Sequence, residues 1–308
     1  MSWIVFLAKL TQPNYRKRAA DSGIPIFLTI SFSHYVEFAR WSLQLMNKSF
    51  TEHGYAPVQH ILPLLATRID YYKSQNKTNQ PTPALSNDSE TKQTEKKERP
   101  KTNNNKTSAP LLVLSDGSLL QNSWEIATWA GLEPPDNDDF KRTLAERVGP
   151  MSRQLFYSFV LKKSNENVTD SIFLENNHWL WKIMWYLGFK SMVLSMMRRS
   201  FKIDNREAVN ECREELKKVV EDIGREKIIT RSGSYIQGDK LTQSDIALAS
   251  LLAPLLLPPE YALGKALKWF ELLQTQDEDF RLEVAYWRGT AVGQYVLQLY
   301  KDKRATVL

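Results

Sequence analysis

The apolar positions change their period within one short stretch near the start of the chain. Ile26 to Ile30 is a brief apolar run bounded by Pro25 and a serine-rich turn, too short for a helix, and it reads as a buried strand. Val36, Ala39, Leu43 and Met46 then recur every three to four residues. Glu37, Arg40, Gln44 and Asn47 lie elsewhere around the same helix. Ser31, Ser33, His34 and Tyr35 fall at the junction, where the first amide N–H groups of a helix have no carbonyl partner. Such a turn favours an anion, for instance a thiolate or a carboxylate.

The pattern continues with a second short strand in Phe50 to Pro57, then His60 and an apolar segment from Ile61 to Leu65. From Tyr72 to Ser108 the chain is almost purely polar and has too little apolar surface to offset the entropy of ordering, so it reads as a disordered insertion, 72–108. A hairpin follows, with its turn at Ser115-Asp116-Gly117-Ser118. Next comes a helix capped at Asn122 or Ser123 and ended by Gly131. Pro134, Pro135 and the acidic run Asp136 to Asp139 read as a linker. Beyond it helices are expected over 140–162, 175–199, 205–223, 244–252 and 280–300. Thr242 and Asp245 have the spacing of a reciprocal helix cap, with Leu241 as an apolar staple.

Composition narrows the functional classes. A chain of 308 residues has room for about two domains of roughly 100–200 residues each. The 41 basic against 35 acidic residues give a net charge of +6, a mild excess with no groove-reading or RNA-binding signature beside it, which argues against nucleic acid as a partner. The single cysteine, Cys212, excludes an internal disulfide and reads as a helix-face filler. Four histidines without a carboxylate or cysteine cluster argue against a metal site. The first twenty residues are basic and acid-free, which admits import into a mitochondrion or plastid beside a cytoplasmic location. The apolar stretch 179–197 carries Lys182, Gly188 and Lys190. It is therefore expected to be a buried amphipathic helix, with membrane-surface docking as the alternative to a span.

Three separated stretches resemble the glutathione transferase family. Ser33-His-Tyr-Val-Glu-Phe-Ala-Arg-Trp-Ser-Leu is similar to the start of that family's first helix. The likeness is strongest to a subgroup with Ser-His-Tyr-x-Glu-Lys-Ala-Arg-Trp and a later Ala-Pro-x-x-His, here Ala56 to His60. Ala109-Pro110-Leu111, Asp116-Gly117 and Asn122-Ser123-x-x-Ile126 are similar to the Val-Pro-x-Leu, Asp-Gly and Glu-Ser-x-x-Ile series. Gly238 to Asp245 is similar to the Gly-x-x-x-Thr-x-x-Asp signature of the helical domain. The likeness covers roughly 24–305, with 71–108 unmatched.

The resemblance implies an α/β thioredoxin-like N-terminal domain with a mixed four-stranded sheet, followed by an all-α C-terminal domain. The boundaries are an N-terminal extension 1–23, a first domain 24–132, a linker 133–137 and a second domain 138–308. It further implies a glutathione-dependent transferase with glutathione as cosubstrate and no metal. Ser33 would hydrogen-bond the thiolate, with Tyr35 and Ser31 as alternatives; a cysteine at 33 would instead have supported mixed-disulfide chemistry. Pro110 is expected in cis, with the Ala109 backbone, Gln121, Asn122 and Ser123 holding glutathione. Asn122 departs from the family, which has Glu there, and so offers a hydrogen bond without charge. His34, His60, Phe156 and Tyr157, with Trp179, Trp181, Trp185 and Tyr186, are candidates for an apolar electrophile pocket, although aromatics at helical spacing are more often core. Arg288 is a candidate for a carboxylate or for structural pairing. Many relatives dimerise, so a homodimer is implied. The alternative is a binding or scaffold protein that keeps the fold and lacks the activity.

Overall fold

A computed structural model describes residues 13–78, 108–174, 179–265 and 267–307. The first half is an α/β unit built on strand β1 (Ile26–Ile30). Helix α2 (His34–Leu45) crosses over to β2 (Thr51–Tyr55), which therefore pairs parallel with β1. Strands β3 (Leu111–Val113) and β4 (Leu119–Leu120) form the antiparallel hairpin, and the sheet order is β2-β1-β3-β4. The hairpin closes where Asp116 Oδ1 accepts the Ser118 N–H at 2.8 Å and Gly117 takes the left-handed conformation, φ +81°. Phe27 and Leu112 face α2 and α4 (Ser123–Ala130). Ile26, Leu28, Leu111 and Val113 face the other layer.

That other layer also holds the end of the N-terminal extension. Helix α1 (Tyr15–Ser22) docks there, burying Tyr15 and Ala19 against the sheet, and Arg16 donates to the Gly117 carbonyl at 2.8 Å. Helix α3 (Ile61–Thr78) runs past the expected start of the insertion. Pro63 lies in its first turn, where the missing N–H would have had no partner. The remainder of the insertion reading, and the first twelve of the twenty residues read as admitting organelle import, lie outside the described residues.

The second half is mostly helical, with a non-helical loop at 230–242. It contains α5 (Asp138–Arg142), α6 (Gly149–Val160), α7 (Glu166–Leu174), α8 (Trp179–Met184) and α9 (Lys190–Ser200). It continues with α10 (Arg206–Ile223), α11 (Gln243–Leu256), α12 (Leu267–Gln276), α13 (Glu278–Gly289) and α14 (Ala291–Leu299). Every residue of α11 is buried. The stretch Gln243–Gly264 is the one segment among the described residues long and apolar enough to cross a membrane, and 83% of its most apolar 18-residue window lies inside the molecule, as a core helix does. The expected helix 175–199 is broken at Leu187 and Gly188, the latter at φ +110°. It is not buried as a whole either, since Tyr186, Leu187 and Met192 face outward. Cys212 is buried, its thiol pushed up to about 11 by burial, as suits a packing residue. Arg288 donates to the Leu256 and Leu257 carbonyls at 2.7 and 2.8 Å, closing the C-terminal end of α11.

The halves meet along α2, which is covered on every side. Val36, Ala39 and Leu43 pack on the sheet while Phe38 and Trp41 belong to the core of the helical half. Glu37 and Arg40 are fully buried with them.

Candidate functional site

The junction between β1 and α2 is clamped from behind. Arg40 donates to the Ser31 carbonyl at 3.1 Å, and the Tyr261 hydroxyl donates to the Phe32 carbonyl. Arg40 is itself held by Glu37 at 2.8 Å and by both oxygens of Glu52 at 2.7 and 2.9 Å. Burial works against the Glu52 carboxylate, but Arg40 and the Thr29 hydroxyl outweigh it and hold its carboxyl below the usual range. Ser33 sits at the cap position of α2 in extended conformation, its carbonyl accepting the Glu37 N–H at 2.8 Å. Its hydroxyl, half-exposed, makes no hydrogen bond among the described residues, so capping does not occupy it.

Strand register brings two further elements to this end of the sheet. Leu28 lies opposite Leu111 and Leu112 opposite Leu120. Leu111 begins β3 and Leu120 ends β4, so the residues before Leu111 and after Leu120 leave the sheet at the same end as Ile30. The Ala109–Pro110 peptide is cis. Ser123, buried, is the first residue of α4. Asn122 caps that helix through Oδ1, which accepts the Glu125 N–H at 2.9 Å, while the Glu125 carboxylate accepts the Gln121 N–H at 2.8 Å. The side chain of Gln121 is also engaged, through Arg68 Nε at 3.2 Å and the Tyr72 hydroxyl at 3.0 Å. Arg68, nearly fully buried, donates to the Ser108 carbonyl at 2.8 Å, and burial pulls its pKa down. Sequence reading missed Arg68 because it assigned no helix beyond Leu65, and a helix continued by one turn would have exposed it.

His34 and Tyr35 point elsewhere, into the joint with the helical half. Their rings are 4.3 Å apart. Tyr35 presses on α6 where only glycine leaves room: a Cβ on Gly149 would lie 2.6 Å from the Tyr35 hydroxyl oxygen. The Arg153 guanidinium sits between the Tyr35 and Phe201 rings, 5.5 and 5.1 Å from their centres. Tyr157 stacks on Phe201 at 4.9 Å, its phenol pushed up to about 12 by burial. Phe156 is in the packed core against Phe270, the commoner place for an aromatic at helical spacing. Trp185 is likewise core, stacked on Phe173, and Trp181 donates to the Phe173 carbonyl. Tyr186 is exposed on the outer surface. His60 precedes α3, and the side chain of Trp179 lies outside the described residues.

His34 is buried and its Nε2 has no partner among the described residues. Burial first, then the Arg153 charge, depress its pKa well below the ordinary imidazole value, against a smaller opposing bond to the Gly149 backbone. The folded state therefore holds His34 neutral where the unfolded chain has begun to bind a proton. Stability is expected to fall as pH drops below about 6.5, with a slope approaching 1.4 kcal/mol per pH unit. Urea unfolding at about pH 7.5 and about pH 5.5 should show this loss in the native chain and a smaller one in His34→Phe. Equal losses would show that His34 takes up a proton without unfolding.

A cleft of about 520 Å³ opens beside the junction, between the ends of β1 and β2 and the helical half. Ser31, Phe32, Tyr55 and Ala56 line one wall and Leu267 and Trp269 the other. Of the three hydroxyl candidates, Ser31 lines this cleft. Gly54 makes room for it, because a Cβ there would lie 2.4 Å from the Ser31 oxygen.

No protein-family profile matches the chain, and no curated protein matches it in sequence. Among solved structures it is similar to a glutathione S-transferase-I bound with lactoylglutathione, at 12% identity over 90% of this chain and 99% of that one, TM-score 0.42. A Tau class glutathione S-transferase from mango (Mangifera indica) gives 11% identity, 92% of each chain and 0.41. The glutathione transferase URE2P8 from Phanerochaete chrysosporium, with oxidised glutathione, gives 11%, 92% of this chain, 96% of that one and 0.42. At these scores the likeness carries nothing about activity or ligand.

Proposed function

We propose that the chain binds glutathione at the β1–α2 junction and transfers it to an apolar electrophile. One observation carries this reading: the unoccupied Ser33 hydroxyl at the start of α2 shares one end of the sheet with the cis Ala109–Pro110 peptide and the start of α4. Ser33 donates to the thiolate, which lowers the thiol pKa while the serine itself stays protonated. The Ala109 backbone pairs with the cysteinyl backbone of glutathione, and the γ-glutamyl carboxylate lies at Ser123 over the N-terminus of α4. The sulfur attacks the electrophilic carbon, a C–S bond forms, and the leaving group departs with its electron pair. The thiol proton has already gone to solvent. Phe32, Leu267 and Trp269 in the cleft wall offer an apolar surface to the acceptor, beside Lys265, Lys268 and Glu271.

Calorimetric titration with glutathione should show binding, and a generic aryl halide should be conjugated. Ser33→Ala should lower turnover by about tenfold to a hundredfold, the worth of one hydrogen bond to a charged group. Absence of binding at millimolar glutathione sinks the reading. A second reading, a binding protein without transferase activity, is favoured by the start of α4, where the Glu125 carboxylate already faces the Gln121 N–H and repels a ligand carboxylate. Binding without conjugation of any aryl halide would select it.

A further inference from the structure

We infer that the corner formed by α8 and α9 docks on an anionic lipid surface. From Asn176 to Ile203 the sequence has no Asp or Glu, while Lys182, Lys190, Arg198, Arg199 and Lys202 are basic. The chain turns sharply at Gly188, and the apolar side chains beside the turn point outward: Leu187 is 81% exposed, Tyr186 68% and Ile183 46%. Met192 and Met196, one helical turn apart on α9, continue the patch at 57% and 47%. These are not core residues awaiting a better fit. The inward positions are already filled by Trp185, Val193 and Met197, and Trp185 is fixed by stacking on Phe173 and by its bond to Asp170 at 2.8 Å.

Charge selects the occupant. Lys190 is neutralised by Glu166 and Asp170, but Lys182, Arg199 and Lys202 are exposed with no acid in the segment to meet them. A second copy docking through the same patch about a twofold axis would bring these cations face to face. An anionic leaflet instead attracts them, and lets Leu187, Tyr186 and the methionines enter the headgroup boundary.

Co-sedimentation of the purified chain with phosphatidylcholine vesicles, alone or mixed with phosphatidylserine, tests this. Binding is expected only to the mixed vesicles and should be reversed at about 1 M salt, where the screening length is about 3 Å. Leu187→Asp with Met192→Asp should reduce partitioning by at least about tenfold, and Lys182→Glu or Arg199→Glu by about fivefold each. Both sites are solvent-exposed, so the variants should keep the native circular dichroism spectrum. The inference is overturned by equal partitioning of native and Asp variants, by equal binding to neutral vesicles, or by a dimer in light scattering that the Asp variants split.

Discussion

Glu37→Ala is expected to destabilise the fold by about 3–5 kcal/mol, a large part of the roughly 5–15 kcal/mol that holds a typical domain together. The Glu37 carboxylate is fully buried, and each oxygen serves one half of the molecule. Oε2 accepts from Arg40 at 2.8 Å and Oε1 from Arg304 at 2.8 Å. Arg40 retains Glu52 when Glu37 is removed. Arg304, also fully buried, keeps the uncharged Gln44 oxygen at 2.6 Å and the face of Trp41, 5.6 Å to the ring centre, so its guanidinium is left without a counter-charge. Restoring an apolar pair, Glu37→Leu with Arg304→Met, should recover much of the loss, because the desolvation of both ions is then avoided. Urea denaturation of the two single variants and the double variant gives the coupling directly. A loss under about 1 kcal/mol for Glu37→Ala would mean that water reaches Arg304. The same network sets an acid limit. Glu52 titrates below its unfolded value, so its contribution is complete above that value and disappears as pH falls through the folded one.

What the sequence could reveal depended on whether a feature is local. The strand at Ile26, the hairpin turn at Asp116-Gly117, and the caps at Asn122 and Thr242 each rest on residues within a few positions of one another, and all are present. The role of Glu37 was not legible. Period alone assigned Glu37 and Arg40 to the polar side of α2, and the partner that buries Glu37 arrives 267 positions later. The break in the helix expected over 175–199 was hidden for a related reason. Its apolar residues are too evenly spread to define one buried face, and around the turn at Gly188 the side chains of Ile183, Tyr186, Leu187, Met192 and Met196 face outward. At the junction itself the residue types were readable, but directions were not. His34 and Tyr35 follow Ser33 immediately, yet the helical turn carries them to Gly149 and Arg153 and leaves Ser33 at the sheet end.

Asp245→Ala should be about as damaging, at about 3–5 kcal/mol, several times what a helix cap alone is worth. The reciprocal cap is present, with the Thr242 N–H donating to Oδ2 at 2.9 Å, but the other oxygen reaches beyond it. Oδ1 accepts the Ile236 N–H at 2.9 Å and the Tyr295 hydroxyl at 2.6 Å, joining the loop before α11 and the helix α14 to the start of α11. Asp245 is fully buried, so its removal leaves two backbone N–H groups and a phenol without acceptors, each costing about 1–3 kcal/mol. Asp245→Asn separates charge from geometry. Whichever way the amide lies, its NH2 faces one of the two backbone N–H groups, and a loss of about 2 kcal/mol is expected. Tyr295→Phe removes only the hydroxyl and should cost about 1 kcal/mol. Hydrogen exchange places the damage: faster exchange at Thr242 or Ile236 in Asp245→Asn, whichever faces the NH2, with the β1 amides unchanged, marks a local release. A uniform acceleration that includes Phe27 and Leu28 would instead show that the start of α11, through its packing on α2, is needed to hold the sheet and the Ser33 turn together.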